Sequence, residues 1–299
     1  MESFSRFVLL SKSQATDAFG NIFAVKRVFQ DPQYKNREAE ISKSLQHPNL
    51  IEILDHYVSE SPRSENGGHY LNLVMNFIPT DLDQIIERSK YKPNCLSSLN
   101  MKLICFQIFN GLKYLEERSI CHRDLKPANV LVNEKTMEVK ICDFGAAKCL
   151  NPGEKNISYI CSRHYRAPEL IYGATEYTCA VDIWAAGCIM AEMVKKGTLF
   201  AGGSNKEQFI EILKVLGTPK MDDFEAMNPY INKPEKYTRR SPLPLIKIFG
   251  KSSQDSSLID LLEQIFVYNP SKRIKASEAI NHSYFDSIKS HPLIKSLSK

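Results

Sequence analysis

Three short motifs constrain the fold of this chain more than any other feature of its sequence. Residues 122–129 read His-Arg-Asp-Leu-Lys-Pro-Ala-Asn, residues 143–145 read Asp-Phe-Gly, and residues 167–169 read Ala-Pro-Glu. A Val-Lys pair stands upstream at 25–26. Any one of these motifs could arise by chance. All of them in this order predict a fold that brings a lysine, two aspartates and an asparagine to one place.

The set of motifs resembles the signature of the protein kinases. The resemblance implies that Asp124 is the catalytic base, that Lys126 is a phosphate-binding cation, and that Asn129 and Asp143 hold the Mg²⁺ ions that bridge the phosphates of ATP. The alternative is a charged turn between two helices, which would not need this order of side chains. Glu169, after Ala-Pro, is expected to form a structural ion pair with Arg273, and Asp182 to brace the catalytic loop.

Lys26 lies in a strand-like run of apolar residues, Ile22 to Phe29. One interpretation is an edge lysine whose ammonium reaches water. The kinase interpretation, which the downstream motifs favour, places the ammonium on the α- and β-phosphates of ATP, with a carboxylate from the next helix beside it. Glu38 has the right type and position for that carboxylate, and Glu40 competes with it.

The periodicity of the chain predicts strands first and helices afterwards. Short strands are expected within 7–29, and a helix over 35–45. The other predicted elements are strands at 50–58 and 70–77, and helices at 101–117, 179–195, 205–216 and 257–267. The stretch 219–256 is rich in Pro and Lys, has weak periodicity and is expected to be an irregular surface insert. A strand-rich part before a helical part indicates two lobes. Together with the resemblance to protein kinases, it implies an α+β, two-lobed protein kinase fold, with a β-rich N-lobe and hinge at 1–78, a helical C-lobe at 79–285 and a short tail at 286–299.

Composition excludes several other classes of protein. The 299 residues are 43% hydrophobic, which is ample for a core. None of the eight cysteines forms a CxxC pair, so neither a zinc site nor a redox pair is indicated. The sequence has no apolar run of transmembrane length and no signal-peptide pattern at its start. A net charge of +5, spread along the chain, does not favour nucleic acid as a partner. A cytoplasmic or nuclear enzyme acting on protein substrates is expected.

Longer strings narrow the resemblance within the kinases. Residues 159–175 resemble the activation segment of glycogen synthase kinase 3, a member of the CMGC group. Residues 35–38, 120–124 and 215–219 are similar to that family too. The likeness extends over about residues 22–285. The sequence lacks both the PSTAIRE-like helix of cyclin-dependent kinases and the Thr-x-Tyr motif of mitogen-activated kinases.

That family resemblance implies roles for further residues. Met75 is expected behind the adenine of ATP, Ala24 and Leu131 on its two faces, and Asn76, Phe77 and Ile78 at the hinge that hydrogen-bonds the base. Tyr159 matches the activation-segment tyrosine that is phosphorylated in the active form. Arg37, Arg123 and Lys148 match the cations that bind a phosphate already present on the substrate, C-terminal to the target serine or threonine.

One departure from the family leaves an alternative open. Glu2 and Ser5 stand where the Gly-rich loop over the ATP phosphates would have glycines. Glycine allows a close approach of backbone to phosphate, so a catalytically weak or inactive kinase-fold scaffold is the second hypothesis. A phosphotransferase acting on a small molecule is the third, but residues 166–169 favour a protein substrate.

A possible partner surface lies in the predicted insert. By resemblance, residues 217–236 occupy the place where the family docks helices of scaffold proteins. Met221, Phe224, Met227 and Tyr230 are spaced at three-residue intervals. They could line a docking groove or pack inward, and the sequence leaves both interpretations open.

Overall fold

The computed structural model shows a β-rich lobe followed by a helical lobe, as the periodicity of the sequence predicts. In the first lobe the chain forms a five-stranded antiparallel sheet with the strand order β1-β2-β3-β5-β4. Its strands are β1 (Val8–Leu9), β2 (Gln14–Thr16), β3 (Ile22–Gln30), β4 (Ile53–Glu60) and β5 (His69–Asn76). The structure describes residues 8–9, 14–30, 38–60, 69–230, 237–250 and 255–297.

The register of β3 against β5 positions the side chains of the first lobe. Lys26 lies opposite Leu73, and Ala24 lies opposite Met75. Helix α1 (Glu38–Ser44) follows β3 in the chain. Since successive residues of a strand point to opposite faces of the sheet, Ala24 and Lys26 share one face.

The second lobe is built around two helices. Its helices are α2 (Leu82–Ser89), α3 (Ser98–Glu116), α4 (Pro168–Ile171), α5 (Ala180–Lys195), α6 (Asn205–Leu216), α7 (Met221–Met227), α8 (Leu245–Phe249), α9 (Ser256–Ile265), α10 (Ala276–Ala279) and α11 (Pro292–Leu297). Helix α5 is buried on every side from Val181 to Val194, as expected of a helix that is apolar all round and lies in the core. Helix α3 packs against α5, and the residue before it, Ser97, caps it by accepting a hydrogen bond from the backbone N–H of Asn100.

Two small sheets belong to the second lobe. One has the strand order β6-β8-β9 and the other pairs β10 with β7. Their strands are β6 (Thr80–Asp81), β7 (Ile120–Cys121), β8 (Val130–Asn133), β9 (Glu138–Ile141) and β10 (Lys148–Cys149). The motifs at 122–129 and 143–145 stand in the turns next to these strands, so the small sheets fix the backbone that carries this part of the site.

The prediction that residues 219–256 form an irregular surface insert is partly wrong. Helices α7 and α8 lie within it, and Phe224 and Met227 are buried in the main hydrophobic core. Tertiary packing stabilises these short helices, although their sequence shows little periodicity. In contrast, Met221 and Tyr230 are exposed. The four apolar side chains therefore do not form one continuous face.

The end of the chain also contacts the core. Ile288 and Ile294 are buried, and they lie in the stretch predicted as a tail. Among the residues described here, no helix combines the length and the apolar character that crossing a lipid bilayer requires.

Candidate active site

Lys26 connects the two lobes through two carboxylates. Its ammonium Nζ lies 2.5 Å from Glu38 Oε1 on α1 and 2.8 Å from Asp143 Oδ1 in the second lobe. The Glu38 side chain is 6% exposed, whereas Glu40 is exposed to solvent. The structure therefore places Glu38, and not Glu40, beside Lys26.

The ionisation of Lys26 and Asp143 reflects this contact. Burial lowers the pKa of Lys26, but the Asp143 and Glu38 carboxylates outweigh it, so that the pKa is raised. Burial raises the pKa of Asp143, yet the Lys26 ammonium outweighs it and the pKa lies below its ordinary value. Both groups are therefore charged at neutral pH, as cation and anion.

The predicted base, Asp124, has hydrogen-bond donors on both carboxylate oxygens. Ser162 donates to Oδ1 from its backbone N at 2.9 Å and from its Oγ at 2.7 Å. Lys126 Nζ lies 2.8 Å from Oδ2 and 3.3 Å from Ser162 Oγ. Asn129 Nδ2 is a longer contact, 3.4 Å from Oδ2. The carboxylate is thus oriented by four donors, two of them from Ser162 in the activation segment.

Of the two predicted metal ligands, Asn129 contacts Asp124, and Asp143 lines the same cavity as Asn129. Asn129 donates from Nδ2 to the backbone carbonyl of Asp124 at 2.8 Å. Because the nitrogen of that amide is a donor, its oxygen is the atom that could ligate a cation. Asp143 supplies a carboxylate on the same cavity wall. Amide and carboxylate oxygens suit Mg²⁺, so this pair of side chains fits a divalent ion.

Two of the motif residues have left-handed backbone conformations. Arg123 has φ of 64° and Asp143 has φ of 66°. Such conformations cost a non-glycine residue roughly 1–3 kcal/mol and persist where surrounding contacts impose them. Asp182 supplies such contacts, because its carboxylate accepts from the backbone N–H groups of His122 at 2.6 Å and Arg123 at 2.9 Å. The predicted brace of the catalytic loop is confirmed.

A cavity of about 220 Å³ lies between the lobes at these residues. It brings together most of the side chains predicted to bind the nucleotide, with Cys142 as an addition that sequence reasoning missed. Its lining includes Lys26, Glu38, Met75, Asn129, Leu131, Cys142 and Asp143. Asn76 ends β5, and Phe77 and Ile78 follow it. Ala24, half-buried, lies across the sheet from Met75.

Two of the three predicted phosphate-binding cations lie close together in the fold. Lys148 on β10 is paired with Cys121 on β7, two residues before Arg123. The Arg123 guanidinium donates from Nε to the carbonyl of Ala146 at 2.6 Å and from Nη1 to Tyr177 Oη at 3.2 Å. The third cation, Arg37, lies outside the described residues, as do Glu2 and Ser5.

Tyr159 lies on the surface of the activation segment and is 64% exposed. The guanidinium carbon of Arg166 lies 4.4 Å from the centre of its ring. Hydrogen bonds from Arg163 and Arg166 lower the pKa of its hydroxyl. The position is accessible to a modifying enzyme and has two cations beside it.

A buried ion pair anchors the end of the activation segment. Arg273 Nη1 lies 2.8 Å from Glu169 Oε1, and Nη2 lies 3.0 Å from Oε2. The two side chains are 0% and 1% exposed. This bidentate pair joins residues that are 104 positions apart in the chain, and it confirms the structural ion pair that the sequence predicts.

Sequence reasoning missed three partners of the site residues. The contact of Ser162 with Asp124 spans 38 residues. The carboxylate of Glu154 pairs with Lys148 at 2.5 Å, and Tyr177 contacts Arg123. None of these three partners stands in one of the short motifs, so no local pattern signals its role.

Comparison with known proteins agrees with this geometry. The protein kinase domain family matches residues 11–285. "Protein kinase gsk3" of Schizosaccharomyces pombe is 41% identical over 266 residues, which cover 89% of this chain and 68% of the relative. "Serine/threonine-protein kinase RIM11/MSD1" of Saccharomyces cerevisiae is 41% identical over 267 residues, 89% of this chain and 70% of the relative. The chain therefore belongs to the protein kinase family, among the ATP-dependent serine/threonine kinases that resemble glycogen synthase kinase 3.

Proposed function

We propose that the cleft around Lys26 transfers the γ-phosphoryl group of ATP to a serine or threonine of a protein substrate that already carries a phosphate. The observation that carries the catalytic part is the Glu38–Lys26–Asp143 contact, because it joins both lobes in one charged site. An inactive scaffold would have no need of this arrangement. The priming part is carried by the neighbouring cations Arg123 and Lys148.

The residues divide the work by their chemistry. Lys26 contacts the α- and β-phosphates, and Glu38 orients it. Asp124 accepts the proton of the attacking hydroxyl, and Lys126 balances the negative charge beside it. Phosphoryl transfer depends mainly on positioning and on electrostatic stabilisation. The donors from Ser162 and Lys126 fix the Asp124 carboxylate before the substrate arrives.

The nucleotide and its metal ion have a site of matching chemistry. We propose Ala24, Met75 and Leu131 as the apolar contacts of the adenine, and Asn76, Phe77 and Ile78 as the hinge. Asn129 and Asp143 would hold Mg²⁺, which neutralises phosphate charge when bound.

Two conservative variants separate the proposed roles. Asp124→Asn should lower kcat by roughly 10²–10⁴-fold, the usual contribution of a general base, with little change in ATP affinity. Asp143→Asn should instead weaken the binding of Mg²⁺-ATP, measured by isothermal titration. Wild-type kcat in the first variant, or wild-type affinity in the second, would contradict the assigned role.

The preference for a primed substrate follows from charge. A phosphate group carries nearly two negative charges at neutral pH and forms strong bonds with convergent cations. Arg37, Arg123 and Lys148 are proposed as those cations. Arg123 and Lys148 lie beside the activation segment, where a substrate would bind, and Arg123 directly precedes Asp124.

Arg37→Ala tests priming most cleanly, since Arg123 borders the proposed base. The substrate is a peptide with phosphoserine four residues after the target serine, compared with its unphosphorylated twin. The loss of one charge-assisted hydrogen bond, about 1.5–3 kcal/mol, should cost the primed peptide more than tenfold in kcat/KM. Equal losses for both peptides would assign Arg37 to the fold, and no loss for either would exclude the pocket.

A scaffold-protein surface at 217–236 remains a narrower proposal. Met221 and Tyr230 are the exposed apolar side chains that support it, while Phe224 and Met227 belong to the core. Asp substitutions at the two exposed positions should abolish co-purification with a scaffold without unfolding the kinase.

The eight cysteines are all unpaired, which supports a reducing compartment such as the cytoplasm or nucleus.

A further inference from the structure

Lys148, one of the cations proposed to bind the substrate phosphate, already contacts a carboxylate of its own chain. Its Nζ lies 2.5 Å from Glu154 Oε1 and 2.6 Å from Asn156 Oδ1. The Lys148 side chain is 14% exposed and that of Glu154 is 38% exposed. The lysine is therefore largely buried, and the anion paired with it is itself partly exposed to solvent.

A tight turn delivers this carboxylate. Residues 151–154 read Asn-Pro-Gly-Glu, and Gly153 has φ of +74°. Proline at the second position and a glycine with positive φ at the third are typical of a type II turn. The turn is closed by the backbone N–H of Glu154, which donates to the Asn151 carbonyl at 3.1 Å. Asn151 Nδ2 also donates to Glu154 Oε2 at 3.0 Å. The Glu154 side chain is thus held in place before any ligand binds.

We propose that Glu154 is an internal competitor of the substrate phosphate. Its carboxylate pairs with Lys148 in the free enzyme, and a phosphoserine must displace it to reach that ammonium. This inference rests on the proposed phosphate pocket. The physical reason is repulsion, since a phosphate of nearly two negative charges and a carboxylate cannot both lie against one ammonium without cost.

The structure leaves space for the displaced carboxylate. Glu154 borders a cavity of about 650 Å³ beneath the activation segment, which Asn151, Tyr177 and Cys179 also line. The volume is large enough for water. If the Glu154 side chain rotated toward this cavity, its carboxylate would lose its contact with the Lys148 ammonium and be hydrated by water instead.

The consequence is that Glu154 sets how strongly the enzyme prefers primed substrates. The measurement is the ratio of kcat/KM for the phosphoserine peptide to kcat/KM for its unphosphorylated twin. Glu154→Gln removes the charge and keeps an oxygen that can accept from Lys148. The ratio should rise about two- to fivefold, the range spanned by a partly exposed ion pair. Glu225→Gln, which removes a charge from the exposed face of α7, is the matched control and should keep the wild-type ratio.

A second background tests that the effect passes through Lys148. The double variant Lys148→Met/Glu154→Gln should have the same ratio as the single variant Lys148→Met. A ratio that stays at the wild-type value or falls in the Glu154→Gln enzyme overturns the proposal. If Glu154→Gln merely unfolded the enzyme, kcat/KM would fall for both peptides together. Glu154→Asp, which retains the charge, is a further control and should keep the wild-type ratio.

The outcomes also separate this inference from priming itself. Suppose that the wild-type enzyme prefers the primed peptide, that Lys148→Met loses this preference, and that Glu154→Gln has no effect on it. Priming is then correct, and the proposed role of Glu154 is wrong. If wild type shows no preference and Glu154→Gln creates one, Glu154 masks the pocket completely, which supports the inference. If no variant shows a preference, both proposals are wrong. Fluorescence anisotropy with the labelled phosphoserine peptide gives the same comparison without turnover.

Discussion

Ser162 donates two hydrogen bonds to the same oxygen of Asp124, from its backbone N at 2.9 Å and from its Oγ at 2.7 Å. This contact ties the activation segment to the proposed catalytic base. A displaced activation segment would therefore release the carboxylate that must meet the substrate hydroxyl. We therefore expect the conformation of the activation segment to affect how the Asp124 carboxylate is positioned.

Ser162→Ala should lower kcat while the KM for ATP stays near the wild-type value. The variant loses the hydroxyl bond to a charged group, worth about 1.5–3 kcal/mol, so a decrease of roughly tenfold or more is expected. Ser162→Thr keeps a hydroxyl and is the matched control. Steady-state kinetics with varied ATP and varied peptide separates the two constants, and an alanine variant as active as wild type would exclude the positioning role.

Phosphorylation of Tyr159 should stabilise the activation segment. The modification adds nearly two negative charges next to Arg163 and Arg166, whose hydrogen bonds already lower the pKa of the tyrosine hydroxyl. We expect the unfolding temperature to rise by a few degrees on phosphorylation and the gain to shrink in Arg163→Ala. Arg163 donates to one other group, the carbonyl of Gly203, whereas Arg166 donates to three, which makes Arg166 the poorer choice for the test. An equal gain in the Arg163 variant would argue against this contact.

His47 should make the fold less stable as the pH falls below 7. Burial and the charges of Lys140 and Arg118 lower its pKa from 6.5 to about 4. A histidine with a lowered folded-state pKa favours the folded state above pH 6.5, and that contribution is lost progressively as the pH falls from 6.5 toward 4. Between pH 7.5 and 5 the loss is at most about 2 kcal/mol, and solvent screening of this half-buried imidazole makes it smaller.

Removal of the imidazole checks this assignment. His47→Asn keeps an acceptor for the backbone N–H of Asn49, and His47→Phe keeps a ring against Tyr114. Neither side chain titrates in this range. Both variants should therefore show a weaker pH dependence of the free energy of unfolding, measured by urea denaturation at several pH values. A pH dependence as steep as that of wild type in both would refute the role of His47.

The Glu169–Arg273 pair should respond to substitution as a buried ion pair does. Arg273→Leu leaves a carboxylate that is 1% exposed without its guanidinium, which typically costs about 3–5 kcal/mol of stability. The double variant Glu169→Leu/Arg273→Leu removes both charges and should be destabilised by less than the sum of the single variants. Thermal and denaturant unfolding of all four proteins forms the cycle, and additive losses would show that the pair contributes no coupling.

Much of the fold could be predicted because its elements carry strong local patterns. The strand at Ile22–Gln30 and the helices that begin at Ala180, Asn205 and Ser256 lie within a few residues of their predicted places. The helices at Met221–Met227 and Leu245–Phe249 were missed, because helices this short depend on packing by residues such as Phe224 and Phe249 rather than on their own periodicity.

The sequence by itself determined the chemical inventory of the site, since fixed spacing within short motifs names Lys26, Asp124, Asn129 and Asp143. Tertiary structure decided which of these groups touch one another. In the folded chain Glu38, and not Glu40, contacts Lys26. Ser162 contacts Asp124, and the carboxylate of Glu154 contacts Lys148. The physical reason is that hydrogen bonds and ion pairs act over a few ångströms in space. Contacts between segments far apart in the chain therefore depend on how the lobes, the turns and the activation segment pack.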